Sequence, residues 1–116
     1  MIEIKETTAW EKLKTKVDLS QGFVKAVVDL KKNLLAVEAK NHSDIADYFK
    51  AAYHSEDIDL WGLRIHEDGS IEYNSLINKQ NNYDHGYEQK CYGILNDEIR
   101  NEATRLVIEY IQGTHE

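Results

Sequence analysis

Residues 60–73, LWGLRIHEDGSIEY, restrict the possible folds more than any other stretch of the chain. Apolar and polar side chains alternate on either side of Glu67-Asp68-Gly69, as they do in half-buried antiparallel strands. A two-residue turn at Asp68-Gly69 would set Ile65 opposite Glu72, placing a core residue and a charge on one face. A three-residue loop, Glu67-Asp68-Gly69, removes the conflict because side-chain faces alternate with period two. Ile65 then meets Ile71, Leu63 meets Tyr73, Trp61 meets Ser75, and Arg64 lies opposite Glu72. Gly69 takes the left-handed position of a type I turn followed by a bulge.

A second hairpin is expected upstream. Residues 24–30 and 34–39 are rich in β-branched and small apolar types. A two-residue turn at Lys32-Asn33 pairs Leu30 with Leu35, Val28 with Val37 and Ala26 with Ala39, all on one face, with Lys25, Asp29 and Glu38 on the other. Three helices are expected around these hairpins. The first has Thr8 as N-cap and Glu11 completing a capping box, with Trp10, Leu13 and Val17 on its stripe. The second starts from Ser43 and carries Ile45, Tyr48, Phe49, Ala52 and Tyr53. The third starts from Asn96, carries Ile99, Ala103, Leu106, Val107 and Tyr110, and stops at Gly113. With a strand over residues 1–5 the order is β-α-ββ-α-ββ-loop-α. This is an α+β fold, a mostly antiparallel sheet with helices packed on one face. Its expected core includes Val28, Val37, Leu63, Ile65, Tyr48, Phe49, Ile99, Leu106 and Trp61.

The length of 116 residues, the lack of Pro and the absence of any linker composition suit a single domain, 1–116. Cys91 is the sole cysteine, no leader-like apolar run opens the chain, and no apolar run is long enough to span a membrane, so a cytoplasmic protein without membrane contact is expected. The net charge is −7, from 21 acidic and 14 basic residues, and no basic stripe offsets it. That composition excludes phosphate-backbone binding as a natural role, so no nucleic-acid partner is expected.

Val24-Lys25-Ala26-Val27-Val28-Asp29, Leu35-Ala36-Val37 followed by His42-Ser43-Asp44, Leu60-Trp61-Gly62-Leu63-Arg64-Ile65 and Ser75-Leu76-Ile77-Asn78 together resemble a small uncharacterised prokaryotic family, a domain of unknown function. The Trp-Gly and Ser-Leu-Ile-Asn stretches are the most specific part of the likeness. The resemblance implies a fold and a family and carries no activity.

No phosphate loop, nucleophile elbow, His-Glu-x-x-His or paired cysteine is present. The remaining candidates are constellations. Asp29, His42 and Asp44, with His66 as a further neighbour, could serve a small metal-assisted hydrolase as acid, base or ligand. An acid in a helix's first turn and a histidine just before it are also ordinary features of helix starts. Arg64, Glu72, Asn74 and Asn78 are expected on the outer sheet face as a polar binding platform, against the plainer reading of a solvated face with one cross-strand ion pair. Residues 78–93 show no helix or strand period and carry Tyr83, Tyr87 and Tyr92 among small polar residues, a composition suited to recognition. Cys91 has His85 as the one base in its segment, and Trp10 and Trp61 sit on apolar stripes as core residues do. No cofactor and no metal site are expected. Phe23, Val27, Ala36, Leu60 and Leu76 leave an apolar patch on the outer face, which suggests a homodimer or a protein partner. The leading reading is a binding or accessory module acting through protein contact.

Overall fold

The structure, a computed structural model, describes residues 1–88 and 91–116. Its strands are β1 (Ile2–Glu3), β2 (Thr8–Ala9), β3 (Phe23–Asp29), β4 (Leu34–Glu38), β5 (Leu60–His66), β6 (Ile71–Glu72) and β7 (Ile111–Gln112). Its helices are α1 (Trp10–Leu13), α2 (His42–Tyr53), α3 (Leu76–Asp84) and α4 (Asp97–Tyr110). Among the described residues β1-β4-β3-β5-β6 form an antiparallel five-stranded sheet, and β2 and β7 make a short parallel pair. The fold class is α+β, as the strand and helix periods predict. None of the helices is long and apolar enough to cross a membrane, among the described residues.

The second hairpin folds in the predicted register. Arg64 faces Glu72 and Ile65 faces Ile71, and Gly69 has φ +88°. The Gly69 amide donates to the His66 carbonyl at 2.8 Å and the His66 amide to Ser70 at 2.9 Å, the bonding of a type I turn with a bulge. Paired β6 stops at Glu72, so the expected Leu63–Tyr73 and Trp61–Ser75 pairs do not extend the ladder.

The first hairpin is displaced by two residues from expectation. Ala26 faces Val37, Val28 faces Leu35 and Asp29 faces Leu34, so the loop is longer than Lys32-Asn33. Asp29 is the reason. One of its oxygens accepts from the Lys31 and Lys32 amides, both at 2.9 Å, and the other accepts from the Ser55 hydroxyl. Asn33 closes the loop with φ 55°. A two-residue slip preserves parity, so every side chain keeps its predicted face.

Two helix starts differ as well. Thr8 pairs with Ile111 in place of capping α1, whose N-cap is Ala9. Asn41, not Ser43, precedes α2, and His42 lies inside the first turn. The Asn96 cap is as predicted, its side chain accepting from the Ile99 amide at 3.0 Å.

The largest correction concerns the layers. Val24, Ala26, Val28, Leu35, Val37, Trp61, Leu63 and Ile65 are buried against Trp10 and Leu13 of α1 and Ala103, Leu106 and Val107 of α4. The opposite parity is buried too: Val27, Ala36 and Leu60 pack on Ile45, Ala46 and Phe49 of α2, with Ile77 of α3 beside them. Helices therefore cover both faces of the sheet. Three members of the expected apolar patch, Val27, Ala36 and Leu60, are covered within the chain, so they offer no surface to a second copy. Of the expected core, Tyr48 and Ile99 are half-buried and the rest are buried.

Candidate functional site

β5 pairs with β3 along one edge, but its other edge lacks a strand neighbour beside Leu60-Trp61-Gly62, because β6 ends at Glu72. Side-chain amides from α3 take that place. The Asn78 carboxamide accepts from the Gly62 amide and donates to the Gly62 carbonyl, both at 2.8 Å, and donates again to the Tyr92 carbonyl at 3.0 Å. Asn81 donates to the Leu60 carbonyl and to Asp57, and Asn82 binds the backbone of Cys91, Gly93 and Leu95. Residues 78–84, expected as irregular loop, are thus helix. The buried face of α3 is Asn78, Asn81 and Asn82, at the i, i+3, i+4 spacing that an apolar stripe would use. Gln89 and Lys90, later in that expected loop, lie outside the described residues.

Gly62 lets the starts of α2 and α3 approach the sheet together. A Cβ there would lie 2.3 Å from Ser75 Cβ and Oγ and 2.9 Å from His42 Cδ2. Gly62→Ala is expected to cost about 1–3 kcal/mol of stability. Ser75→Gly should recover part of that loss in the double variant, as a thermal-denaturation cycle would reveal. Equal costs with and without Ser75→Gly would refute the contact.

Between those helix starts opens a cleft of about 340 Å³, lined by Lys25, Asn41, His42, Ser43, Arg64, Asn74, Ser75, Leu76, Ile77 and Tyr92. Lys25 and Arg64 are direct cross-strand partners on its floor, the middle of a row running Glu38, Lys25, Arg64, Glu72 across four strands. Lys25 Nζ donates to the Lys40 carbonyl. The Arg64 guanidinium lies 4.3 Å over the Phe23 ring and 3.7 Å from Glu72, which also meets His66 Nε2 at 3.0 Å. At the outer end of the row, burial and the neighbouring Asp44 carboxylate push the Glu38 carboxyl above its usual range.

His42 is 8% exposed, and its Nε2 lies 2.7 Å from the Leu63 carbonyl. An oxygen acceptor at that distance places the proton on Nε2. Burial pushes its pKa down to about 4; the Leu63 bond opposes this, and the Lys25 and Arg64 charges add to it. The folded chain therefore takes up a second proton on this ring less readily than the unfolded chain, whose ordinary value is 6.5. His42 should contribute full stability above pH 6.5 and lose it as pH falls towards 4, by roughly 3 kcal/mol in all. Proton NMR of the imidazole checks this, and a midpoint near 6.5 would contradict it.

The predicted acid–base group does not assemble. Asp29 sits four residues along β3 from Lys25, about 13 Å away at strand spacing, with both oxygens occupied by the Lys31–Lys32 turn and Ser55. Asp44 is exposed beside Asn41, and His66 turns to Glu72. Among the described residues no three His, Cys, Asp or Glu are grouped to hold a metal. Of the expected platform, Arg64 and Asn74 line the cleft, Glu72 flanks it, and Asn78 is fully buried on the inner face of α3. Tyr83 and Tyr87 are exposed and do not line the cleft; Tyr92 does. Cys91 and His85 do not pair. Cys91 Sγ accepts from Gly93, and His85 stacks on Trp61 at 5.3 Å. Sequence reasoning missed Lys25, His42 as a cleft wall, and Ser43; the parity of Lys25 with Arg64 was the available signal.

No curated protein and no solved structure matches the chain. A family model does, over residues 2–110, and the chain belongs to that family, described as protein of unknown function (DUF5674).

Proposed function

We propose that the chain is a cytoplasmic binding module, without catalysis of its own, whose ligand seats in the cleft between the starts of α2 and α3. The observation that carries this reading is the lining of the cleft. It combines two cations, amide and hydroxyl groups from Asn41, Ser43, Asn74 and Ser75, and an apolar wall of Leu76, Ile77 and Tyr92. Polar groups converging beside an apolar wall in a hollow of this volume are what small-ligand sites use. Leu76, on the cleft wall, is 71% exposed, and Tyr83 further along α3 is 59% exposed. A hydrolase centred on Asp29, His42 and Asp44 has less support, since Asp29 is committed to its turn and His42 to Leu63.

Thermal-shift screening of metabolites and divalent metals tests the reading, because selective binding to the native state raises its melting temperature. Hits are then mapped by amide chemical shifts. Responses should concentrate at residues 41–43, 62–64 and 74–77. A ligand mapping to the exposed face of α4, or turnover abolished by His42→Gln, would overturn the proposal.

A further inference from the structure

We infer that the group held in this cleft is a compact oxyanion, a carboxylate or a phosphate, carried on an apolar or aromatic body. The inference rests on the cleft being the binding site and concerns what that site selects. The charge distribution leads to it. The chain has 21 acidic residues and a net charge of −7, yet no Asp or Glu lines this cleft. The other hollows described on the surface all carry acids: Glu109 and Glu116, Asp57 and Asp84, Asp18 and Glu38, Glu98 and Glu102.

Lys25 and Arg64 stand directly opposite each other on neighbouring strands, an arrangement that is unfavourable for like charges unless something negative lies between them. Each cation has an acid cross-strand on its far side, Glu38 for Lys25 and Glu72 for Arg64, and none on the side they share. The Lys25 ammonium meets a neutral carbonyl, and Arg64 shares Glu72 with His66. Arg64 Nε is closed off from solvent and has no hydrogen-bond partner among the described residues. The helix starts act in the same direction. The first turn of the twelve-residue α2 borders the cleft through His42 and Ser43 and receives no cap from the Asn41 side chain; the acid it carries, Asp44, does not line the cleft, so the positive end of the helix adds to the field there. His42 is neutral and does not crowd the site with a third cation. A cation ligand fits none of this. Leu76, Ile77 and Tyr92 line the remaining wall and suit an apolar or ring-bearing body.

The test is an NMR titration of the full chain with inorganic phosphate, phenyl phosphate, benzoate and neutral benzamide, at low and high salt. Phenyl phosphate and benzoate separate the two oxyanion types. At least one should perturb amides 42–44 and 75–77, bind about tenfold or more tightly than benzamide, and weaken as salt rises. The aryl phosphate should also exceed inorganic phosphate. Lys25→Gln and Arg64→Gln should each weaken binding about tenfold at an unchanged melting temperature. If Arg64→Gln unfolds, Lys25→Gln and the salt series decide. Benzamide binding at the same amides as tightly as benzoate, or affinity indifferent to Lys25→Gln and salt, would overturn the oxyanion while leaving the cleft as the site. Perturbations confined to other surfaces with every probe would overturn both.

Discussion

Asn78→Leu is expected to lower the free energy of unfolding by roughly 3–6 kcal/mol, a large part of the ~5–15 kcal/mol that holds an ordinary domain folded. The leucine has about the right size for the site, so the cost is not one of volume. It arises because the Gly62 amide, the Gly62 carbonyl and the Tyr92 carbonyl all lose their shared partner in a fully buried position. Each group left unsatisfied costs about 1–3 kcal/mol. Asn78→Asp provides a sharper signature. It keeps the acceptor for Gly62 but turns a second oxygen on the two carbonyls, so only the protonated acid can restore a donor. Its folded pKa should then lie above the ordinary value of about 3.9. The variant is most stable at low pH and loses stability as pH rises through that folded pKa, opposite to the dependence expected from His42. Urea denaturation at pH 4 and 7 measures both effects. Wild-type midpoints for Asn78→Leu would show that the amide seam contributes little.

Leu63→Ala and Leu60→Ala should each cost about 2–5 kcal/mol, although the two positions have opposite parity on one strand. Leu63 packs in the cluster shared with α1 and α4, and Leu60 in the cluster shared with α2. A sheet covered on one face would make the second substitution nearly harmless. Cooperative unfolding with an unaltered midpoint for Leu60→Ala would refute the two-sided architecture.

Much of the sheet was legible from the chain alone because its determinants are local. Side-chain parity repeats every two residues, and Gly69 supplies the one backbone conformation that reconciles the arms of its hairpin. Hence Arg64 opposite Glu72 followed from counting. The first hairpin has no such marker. A slip of two residues leaves every face unchanged, and Asp29, which could be read as an acid–base candidate, set the loop by accepting from Lys31 and Lys32. The candidate site was partly legible in the same way. Arg64 and Asn74 could be placed from parity, whereas His42 reaches the cleft only because α2 starts two residues earlier than its best capping residue suggests.

What the sequence by itself determined is therefore the class of elements, the face of each strand residue, and the Gly69 turn. These depend on torsional preference and on the spacing of apolar groups along a short stretch. Only the tertiary structure decided that both faces are covered, since Val27, Ala36 and Leu60 read as surface until α2 folds over them. It alone decided that Asn78, Asn81 and Asn82 form the inner face of a helix. Hydrophobic periodicity registers apolar side chains, and these amides are buried for the backbone groups of β5 and of residues 91–95 that they satisfy. A polar side chain reveals its partner only when the distant strand with the unpaired N–H and C=O has come to lie beside it.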